Sequence, residues 1–465
     1  MDQMVSLNGV APSAPSLRVL KVLENAGLEA WYVGGWVRDA LMGRPSHDVD
    51  MCCSGSWQES KSALEAAGIA VAESGIKFGG ITAICDHERI EVTTYRLDGF
   101  YSDGRHPESI ERAASLDDDL ARRDFTVNAM AWHPVRGLVD RYDGQGDLDR
   151  KLIRAVGDPK RRFHEDALRM LRAVRFACRL DFMIEPATKA ALASCAALLD
   201  AVARERVGIE LHGILATGHG GDAMLRYPEL MCAAVPELAE CRGFDQRSVY
   251  HAFDVYEHIA RVLTVSGELA LCAGHAPSIS LMWAALLHDI SKPACFTVDH
   301  SGSGHFYGHP KLGAKEARRI MDRLAQPHNL VRDVCLLIKY HDKPLRVDRA
   351  CLLQMMRLMS GEGIDTPRLM DELFDLKRAD TLGKAPSCFY YVDTIEQMRL
   401  MCHELLEAGE PYTLKMLAVN GGDLIQAGIA PGPRIGELLH AVLDAVIAGD
   451  VINEHDHLLA FVTQL

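Results

Sequence analysis

The chain has 465 residues, too long for one ordinary hydrophobic core, so several structural units are expected. Hydrophobic residues make up 48% and charged residues 25%, the balance of a globular protein in water. A formal net charge of -14 excludes a protein that coats nucleic acid indiscriminately, because phosphate neutralisation needs an excess of Lys and Arg.

The N-terminal stretch MDQMVSLNGVAPSAPSLRVL lacks the basic start and apolar run of a signal peptide. No uncharged apolar run of about 18 residues occurs, so a cytoplasmic protein without a membrane partner is expected. SLRVLKVLENAG has the period of a helix, and AWYVGG, beginning at Ala30, reads as a strand ending in two glycines. DVDMCC is a further strand, SWQESKSALEAAG a helix, and GGITAIC and RIEVTTYR two more strands. Leu97 to Leu116 has no period and reads as a functional loop. Near Gly157 the texture changes, and helical patterns dominate from EDALRMLRAVRFACRL to GELLHAVLDAVIAG. The fold class is an α/β head of mixed sheet and helices followed by an all-α body. The thirteen cysteines include no CxxC pair and suit reduced thiols in cores, with Cys52 and Cys53 on a strand.

The stretch YVGGWVRDALMGRPSHDVDM carries the first chemistry. Gly34 and Gly35 let the backbone approach a ligand, and the helix that follows offers its N-terminal amides to phosphate. Arg38 lies one turn into that helix. Asp48 and Asp50, two apart on a strand, project from one face. Paired hard carboxylates beside a phosphate cradle suit Mg2+ bridging a triphosphate and an attacking hydroxyl, and Glu91 on another strand supplies a third acid. Each part alone is weak, since most GG turns are only turns; the order and spacing together point to metal-dependent phosphoryl transfer. Between Arg150 and Arg179 ten basic residues, among them Arg169, Arg172 and Arg175, face three acids, enough to hold one phosphate-rich ligand locally.

GGWVRDALMGRPSHDVD resembles the signature of the polymerase-beta-like nucleotidyltransferases, specifically the class II tRNA nucleotidyltransferases (CCA-adding enzymes) and the related bacterial poly(A) polymerases. The resemblance runs on through DGRHPESIERAASLDDDLARRDFTVNAMAWHP, DRYDGQGDLDRKLIRAVGDP, FHEDALRMLRAVRFACRLDF and RERVGIELHGIL. It implies that Gly34, Gly35 and Arg38 hold the triphosphate and Asp48 and Asp50 the metals. Arg122, Arg123, Asp124, Phe125, Thr126 and Asn128 match a motif implied to recognise ribose. Asp166 and Arg169, with Arg172 nearby, match the motif implied to read the base, and Arg206 and Glu210 match an element that supports the neck helices. The loop around Asp103, Gly104 and Arg105 is implied to assist the change from C to A. Independently, an Asp and an Arg three apart on a helix share a face and present acceptor beside donor. Cytosine and adenine match that order, whereas uracil and guanine reverse it and leave buried groups unpaired.

Further along, His258, His288-Asp289, His305, His309 and His341-Asp342 form a series of metal-ligand types that resembles an HD phosphohydrolase domain, with His258, His288, Asp289 and Asp342 as ligand candidates for a second divalent metal. The expected organisation is a nucleotidyltransferase head at 1–157, a helical neck and body at 158–245, an HD domain at 246–345 and a helical tail at 346–465. KRADTLGKAP, from Lys377, is a basic patch that reads as a solvated face ahead of a contact with the tRNA elbow. MLAVNGGDLIQAGIAPGPRIGELL resembles the C-terminal element of HD-containing members and carries no assignable chemistry. The function implied is CCA addition or repair on tRNA with CTP, ATP and Mg2+. Alternatives are an A-adding enzyme, a poly(A) polymerase and an HD phosphohydrolase; a silent RNA-binding protein is disfavoured by the intact Asp48 and Asp50.

Overall fold

Ser13 starts helix α1 (Ala14–Asn25): its hydroxyl accepts from the Ser16 amide at 3.2 Å and Pro15 sits in the first turn. The helix buries Val19, Leu20 and Leu23 on one stripe. The computed structural model describes residues 6–46, 48–74, 76, 79–98 and 110–465, and divides into two units, Met1–Ile214 with Tyr227–Ala234, and Leu215–Arg226 with Val235–Leu465.

In the first unit, β1 (Ala30–Val33), α2 (Gly35–Leu41), β2 (Val49–Cys53) and α3 (Trp57–Ala66) follow in turn. A capping box between Ser56 and Glu59 starts α3. The strands β3 (Ala70–Ala72), β4 (Gly80–Cys85) and β5 (Glu88–Thr94) come next, then a hairpin pair of β6 (Arg96–Asp98) and β7 (Ile110–Arg112), and α4 (Leu116–Ala121). The expected loop is thus closed at its ends by a strand pair; Asp103, Gly104 and Arg105 lie outside the described residues. With β8 (Met130–His133) and β9 (Gly137–Asp140), the described strands form a sheet ordered β3-β4-β5-β2-β1-β8-β9, in which only the β2–β5 pair is parallel.

AWYV reads as a continuous apolar run because both sheet faces are covered. Ala30 and Tyr32 join a core with Met51, Ile90, Val92 and α1, while Trp31 and Val33 join another with Cys52, Tyr95 and Leu120. Cys52 and Cys53 are buried strand residues on opposite faces, and all thirteen cysteines are free. This burial pins the register that places Asp50 opposite Glu91.

After α5 (Gly144–Asp149) and β10 (Leu152–Ile153) come α6 (Pro159–Glu165), α7 (Arg169–Leu180), β11 (Met183–Ile184), α8 (Pro186–Cys195) and α9 (Arg204–Leu215). The expected continuous helix through EDALRML is therefore two helices. Asp166 is extended (φ -146°, ψ 104°) and its Oδ1 accepts from the Leu168 amide at 3.0 Å, so its side chain competes with the helical ladder.

The second unit starts with α10 (Gly220–Arg226); α11 (Pro228–Ala234) belongs to the first. Then follow α12 (Val255–Cys272), α13 (Ile279–Leu287), buried from Ser280 onward, a short ribbon of β12 (Thr297–Val298) and β13 (Gly304–His305), α14 (His309–Arg323), α15 (His328–Tyr340), α16 (Arg349–Leu358) and α17 (Thr366–Leu382). Helices α18 (Tyr391–Glu407), α19 (Gly421–Gln426), α20 (Pro433–Ala448) and α21 (His455–Val462) complete it. Among the described residues no helix is long and apolar enough to cross a membrane.

One tight approach supports the functional cleft directly. A Cβ on Gly144 would collide with the Thr126 carbonyl and stand 2.9 Å from Met130 Sδ. Gly144→Ala is expected to lower the unfolding free energy by about 2 kcal/mol, measured by denaturant titration, and to raise the KM for nucleotide by displacing the turn that carries Asn128.

Candidate functional site: a carboxylate and arginine cleft

A cleft of about 680 Å³ opens in the first unit where β1 gives way to α2. Gly34 caps α2 with φ +66°, and a Cβ there would stand 3.2 Å from the Arg123 guanidinium and 3.6 Å from Asp50 Oδ2, so the position favours glycine on both counts. Asp48 lies exposed just before β2, Asp50 half-buried within it, and Glu91 beside Asp50 on β5; all three line the cleft. Burial, reinforced by Glu91 and Asp48 and opposed by Arg123 and Arg38, pushes the Asp50 carboxyl up to about 6. A buried carboxyl beside two further acids fits a divalent cation, whose charge offsets both the burial and the repulsion. These three are the groups in this cleft that would hold one.

Nine arginines also line the cleft, and the main ones are held from behind by acids. Asp119, fully buried, takes Arg122 Nη2 on Oδ1 at 2.6 Å and Arg123 Nη2 on Oδ2 at 2.9 Å. Burial alone would raise that carboxyl, but Arg123 and Arg122 overcome it and hold it below the usual range. Asp124 accepts Arg172 Nε and Nη2 at 3.0 and 2.8 Å and the Asn128 amide at 3.2 Å. Glu165 takes Arg169 at 2.9 Å, and Glu210 takes Arg175 at 2.6 Å. Arg38 is buried, spanning Asp39 and Asn128 at 2.8 Å each. Phe176 is the shared platform: Arg38, Arg172 and Arg175 stand 5.5, 5.4 and 4.8 Å from its ring centre.

Asp166 and Arg169 line the same wall, although the helix break, and not a shared helical face, brings them there. Arg206 on α9 reaches Asp166 Oδ2 at 3.2 Å, and Arg169 Nη2 donates to the Arg122 carbonyl at 3.0 Å. Thr126 of the same motif turns away from the cleft and donates to buried Asp147 at 2.7 Å, while Phe125 is fully buried and edges onto Phe176. Asp119, Glu165 and Phe176 were not anticipated. The signal for Asp119 was its position three and four residues ahead of Arg122 and Arg123.

The second unit holds a separate cluster. Nε2 of His258 and of His288 each lie 3.2 Å from Asp289 Oδ2, while His309 Nε2 lies 3.3 Å and His341 Nε2 3.7 Å from Oδ1. Asp380 completes the first set, 3.1 Å from His258. Each imidazole has its Nδ1 against a main-chain carbonyl: Gly383, Ala285, Phe306 and Ile338 at 3.1, 2.9, 2.8 and 2.7 Å. Those contacts aim the Nε2 atoms inward, the arrangement a metal-binding histidine needs. Two donor sets share Asp289, His258–His288–Asp289–Asp380 and Asp289–His309–His341, and they fit divalent cations. Burial would raise Asp380, but Lys384 and His258 hold it well below the usual carboxylate range.

Asp342 lines the cavity wall without joining either donor set; the acid from the C-terminal side is Asp380. His305 pairs instead with Asp299 at 2.8 Å. KRADTLGKAP is consequently no solvated basic face. Lys377 is buried and donates to the His341 and Lys343 carbonyls at 2.6 and 2.8 Å, and Lys384 pairs with Asp380 at 2.6 Å.

Three carboxylates that fit a divalent cation, facing a wall of arginines in one cleft, are the equipment of a nucleotidyltransferase, the class to which the protein belongs. The chain matches family models for the "Poly A polymerase head domain" over 30–154, "Probable RNA and SrmB- binding site of polymerase A" over 181–241, "HD domain" over 255–383 and a tRNA nucleotidyltransferase domain 2 over 383–462. It is 32% identical to the CCA-adding enzyme of Lacticaseibacillus paracasei over 97% of this chain and 96% of that one. The CCA-adding enzyme of Limosilactobacillus fermentum is also 32% identical, over 96% and 95%. The crystal structure of the Bacillus stearothermophilus CCA-adding enzyme in complex with CTP superposes with a TM-score of 0.70 at 25% identity, covering 97% of this chain and 96% of that one. The chain belongs to the family of CCA-adding enzymes.

Two outcomes are expected at this site. Because folded Asp50 keeps its proton above the ordinary 3.8, the metal-free fold loses stability as pH rises from there through about 6. A cation requires the ionised form, so calorimetry should show affinity about tenfold weaker at pH 5 than at pH 7, and Asp50→Asn should stabilise the metal-free protein at pH 7. Asp119→Ala leaves Arg122 and Arg123 without their counter-charge and should cost about 3–5 kcal/mol in denaturant unfolding.

Proposed function

We propose that the protein is a template-independent tRNA nucleotidyltransferase that adds or repairs the 3′-terminal CCA using CTP, ATP and Mg2+. The carrying observation is that Asp166 and Arg169 stand on the wall of the cleft that also contains Asp48, Asp50 and Glu91. An acceptor beside a donor matches the amino group and ring nitrogen of cytosine and of adenine, and leaves unpaired groups against uracil or guanine. A site of this kind can discriminate by about 10⁴. Arg206, clamping Asp166 at 3.2 Å, keeps the acceptor in place.

In the reaction the RNA 3′ oxygen bonds to the α-phosphorus, the bond from that phosphorus to the oxygen bridging the β-phosphorus breaks, pyrophosphate leaves, and the hydroxyl proton passes to solvent. Divalent metal, when bound by Asp48, Asp50 and Glu91, supplies charge neutralisation and a lower hydroxyl pKa. Gly34 and Gly35 admit the phosphates to the start of α2. Arg38, Arg122 and Arg123 face them, and Asn128, joined to Arg38 at 2.8 Å and to Asp124 at 3.2 Å, lies where the ribose would meet the wall. Arg172 and Arg175 extend the positive wall. This reading places the enzyme in the cytoplasm, where tRNA and nucleoside triphosphates are found together.

A second activity is favoured by the inward-facing imidazoles: a metal-dependent phosphohydrolase held by His258, His288, Asp289, His309, His341 and Asp380, with Lys292 and Lys384 on the cavity wall, paired with Asp289 at 2.7 Å and Asp380 at 2.6 Å.

Incubation with Mg2+, CTP and ATP and tRNAs ending at the discriminator base, at C and at CC, followed by 3′-end sequencing, tests the first reading. CCA completion on all three is expected. A added only to the CC-ending RNA marks an A-adding enzyme, and long A tails mark a poly(A) polymerase. Asp48→Ala should abolish extension, Arg169→Ala should lower the CTP-over-UTP ratio of kcat/KM by at least about a hundredfold, and His288→Ala should leave extension intact while removing phosphatase activity.

A further inference from the structure

We propose that the groove between α14 and α15 is a docking surface for the sugar–phosphate backbone of the RNA substrate, an inference that rests on the tRNA reading above. Lys311, Lys315 and Arg318 follow one another at four- and three-residue intervals on α14, and Arg332 and Lys339 stand seven apart on α15. Helical geometry puts each set in one stripe. The two stripes flank a groove of about 510 Å³ whose floor is Ala314, Cys335, Leu336 and Ile364, and no acid is among its lining residues.

The charge is not consumed within the fold. Arg319 and Arg323, on the neighbouring face of α14, are tied to Glu237, and Glu316 is taken by Arg319. Arg332 pairs with Asp333, which also receives Arg368, and donates to the Glu362 and Gly363 carbonyls. Among the described residues, Lys311, Lys315, Arg318 and Lys339 have no carboxylate partner; Asp322 and Arg318 both act on the Cys335 thiol in the groove floor. A chain of net charge -14 thus leaves four cations unpaired along one cleft.

Such an arrangement matches a polyanion with charges at regular spacing. Phosphates along an RNA strand can meet both rims while ribose rests on the aliphatic floor. The groove has no aromatic platform and no side-chain carboxamide or carboxylate to read a base edge, so the contact is with backbone and independent of sequence.

The test uses the full chain and a tRNA lacking CCA, with Kd measured by fluorescence anisotropy over a range of salt. A variant carrying Lys311→Gln, Lys315→Gln, Arg318→Gln and Lys339→Gln removes charge without removing an ion pair, and its melting temperature checks that it folds; Lys311→Gln with Lys315→Gln is the milder companion. The expected result is a Kd raised at least about tenfold near physiological salt and a salt slope shallower by about 3, with the KM for tRNA raised and that for CTP unchanged. The companion should lose about half of the slope change. Unchanged affinity and slope overturn the proposal, as does a weaker Kd with an unaltered slope. Intact tRNA binding with lost pelleting on anionic phosphatidylglycerol vesicles assigns the groove to a membrane surface and also overturns it. If the unsubstituted protein neither binds nor extends tRNA, the functional reading itself fails, a result distinct from equal binding by both proteins.

Discussion

The cleft of the first unit must keep carboxylates and guanidinium groups apart while holding both within reach of one ligand. Left to themselves, Arg38 and Arg123 would pair with Asp50, and neither cation nor triphosphate could enter. The structure prevents this by giving the arginines acids behind them: Asp119 for Arg122 and Arg123, Asp124 for Arg172, Glu165 for Arg169, Glu210 for Arg175 and Asp39 for Arg38. Burial, with Glu91 and Asp48 beside it, outweighs what Arg123 and Arg38 offer Asp50, so its proton is retained up to about 6. A divalent cation would supply the missing charge, so its binding and the retention of the arginines by their own acids are two sides of one electrostatic arrangement.

The same constraint explains why the neck is folded against the head within the first unit. Arg175 and Arg206 connect α7, α9 and the break at Asp166, so an acid on α9 holds one arginine and an arginine on α9 holds Asp166. Gly213 lets α9 come close to α7, because a Cβ there would run into Arg175. The placing of Asp166 and Arg169 on the cleft wall therefore depends on helix packing as well as on their own local structure.

Much of the head was legible because its signals are local. Gly34, Gly35, Asp48, Asp50 and Glu91 sit on or beside strands whose period of two can be read directly, and the β2–β5 register then sets Asp50 beside Glu91. What could not be read are partnerships across elements. Phe176 resembles any core aromatic until three arginines are found around its ring. The helix break at Asp166 has no Gly or Pro to announce it and arises from a side chain capturing the Leu168 amide. Asp380 was hidden between Arg378 and Lys384 in a stretch that looks solvated; only the burial of α17 turns it toward His258. A single acid among cations is ambiguous in sequence, since the same letters describe a wet helix face and the wall of a metal site.

Arginine, and not lysine, is the residue this arrangement calls for. Its planar fork can accept two hydrogen bonds' worth of restraint along one edge, as Arg172 shows by giving Nε and Nη2 to a single Asp124 oxygen, and still present the remaining edge to the cleft. A lysine held by a buried acid would have turned its one charged atom away from the ligand. The cations of the second unit that have no carboxylate partner show the contrast: on the α14–α15 groove three of the four are lysines, and all are exposed. Pinned arginines suit a small ligand whose phosphorus must be placed to within a fraction of an ångström, whereas loose lysines suit a polymer whose position along the surface need not be fixed.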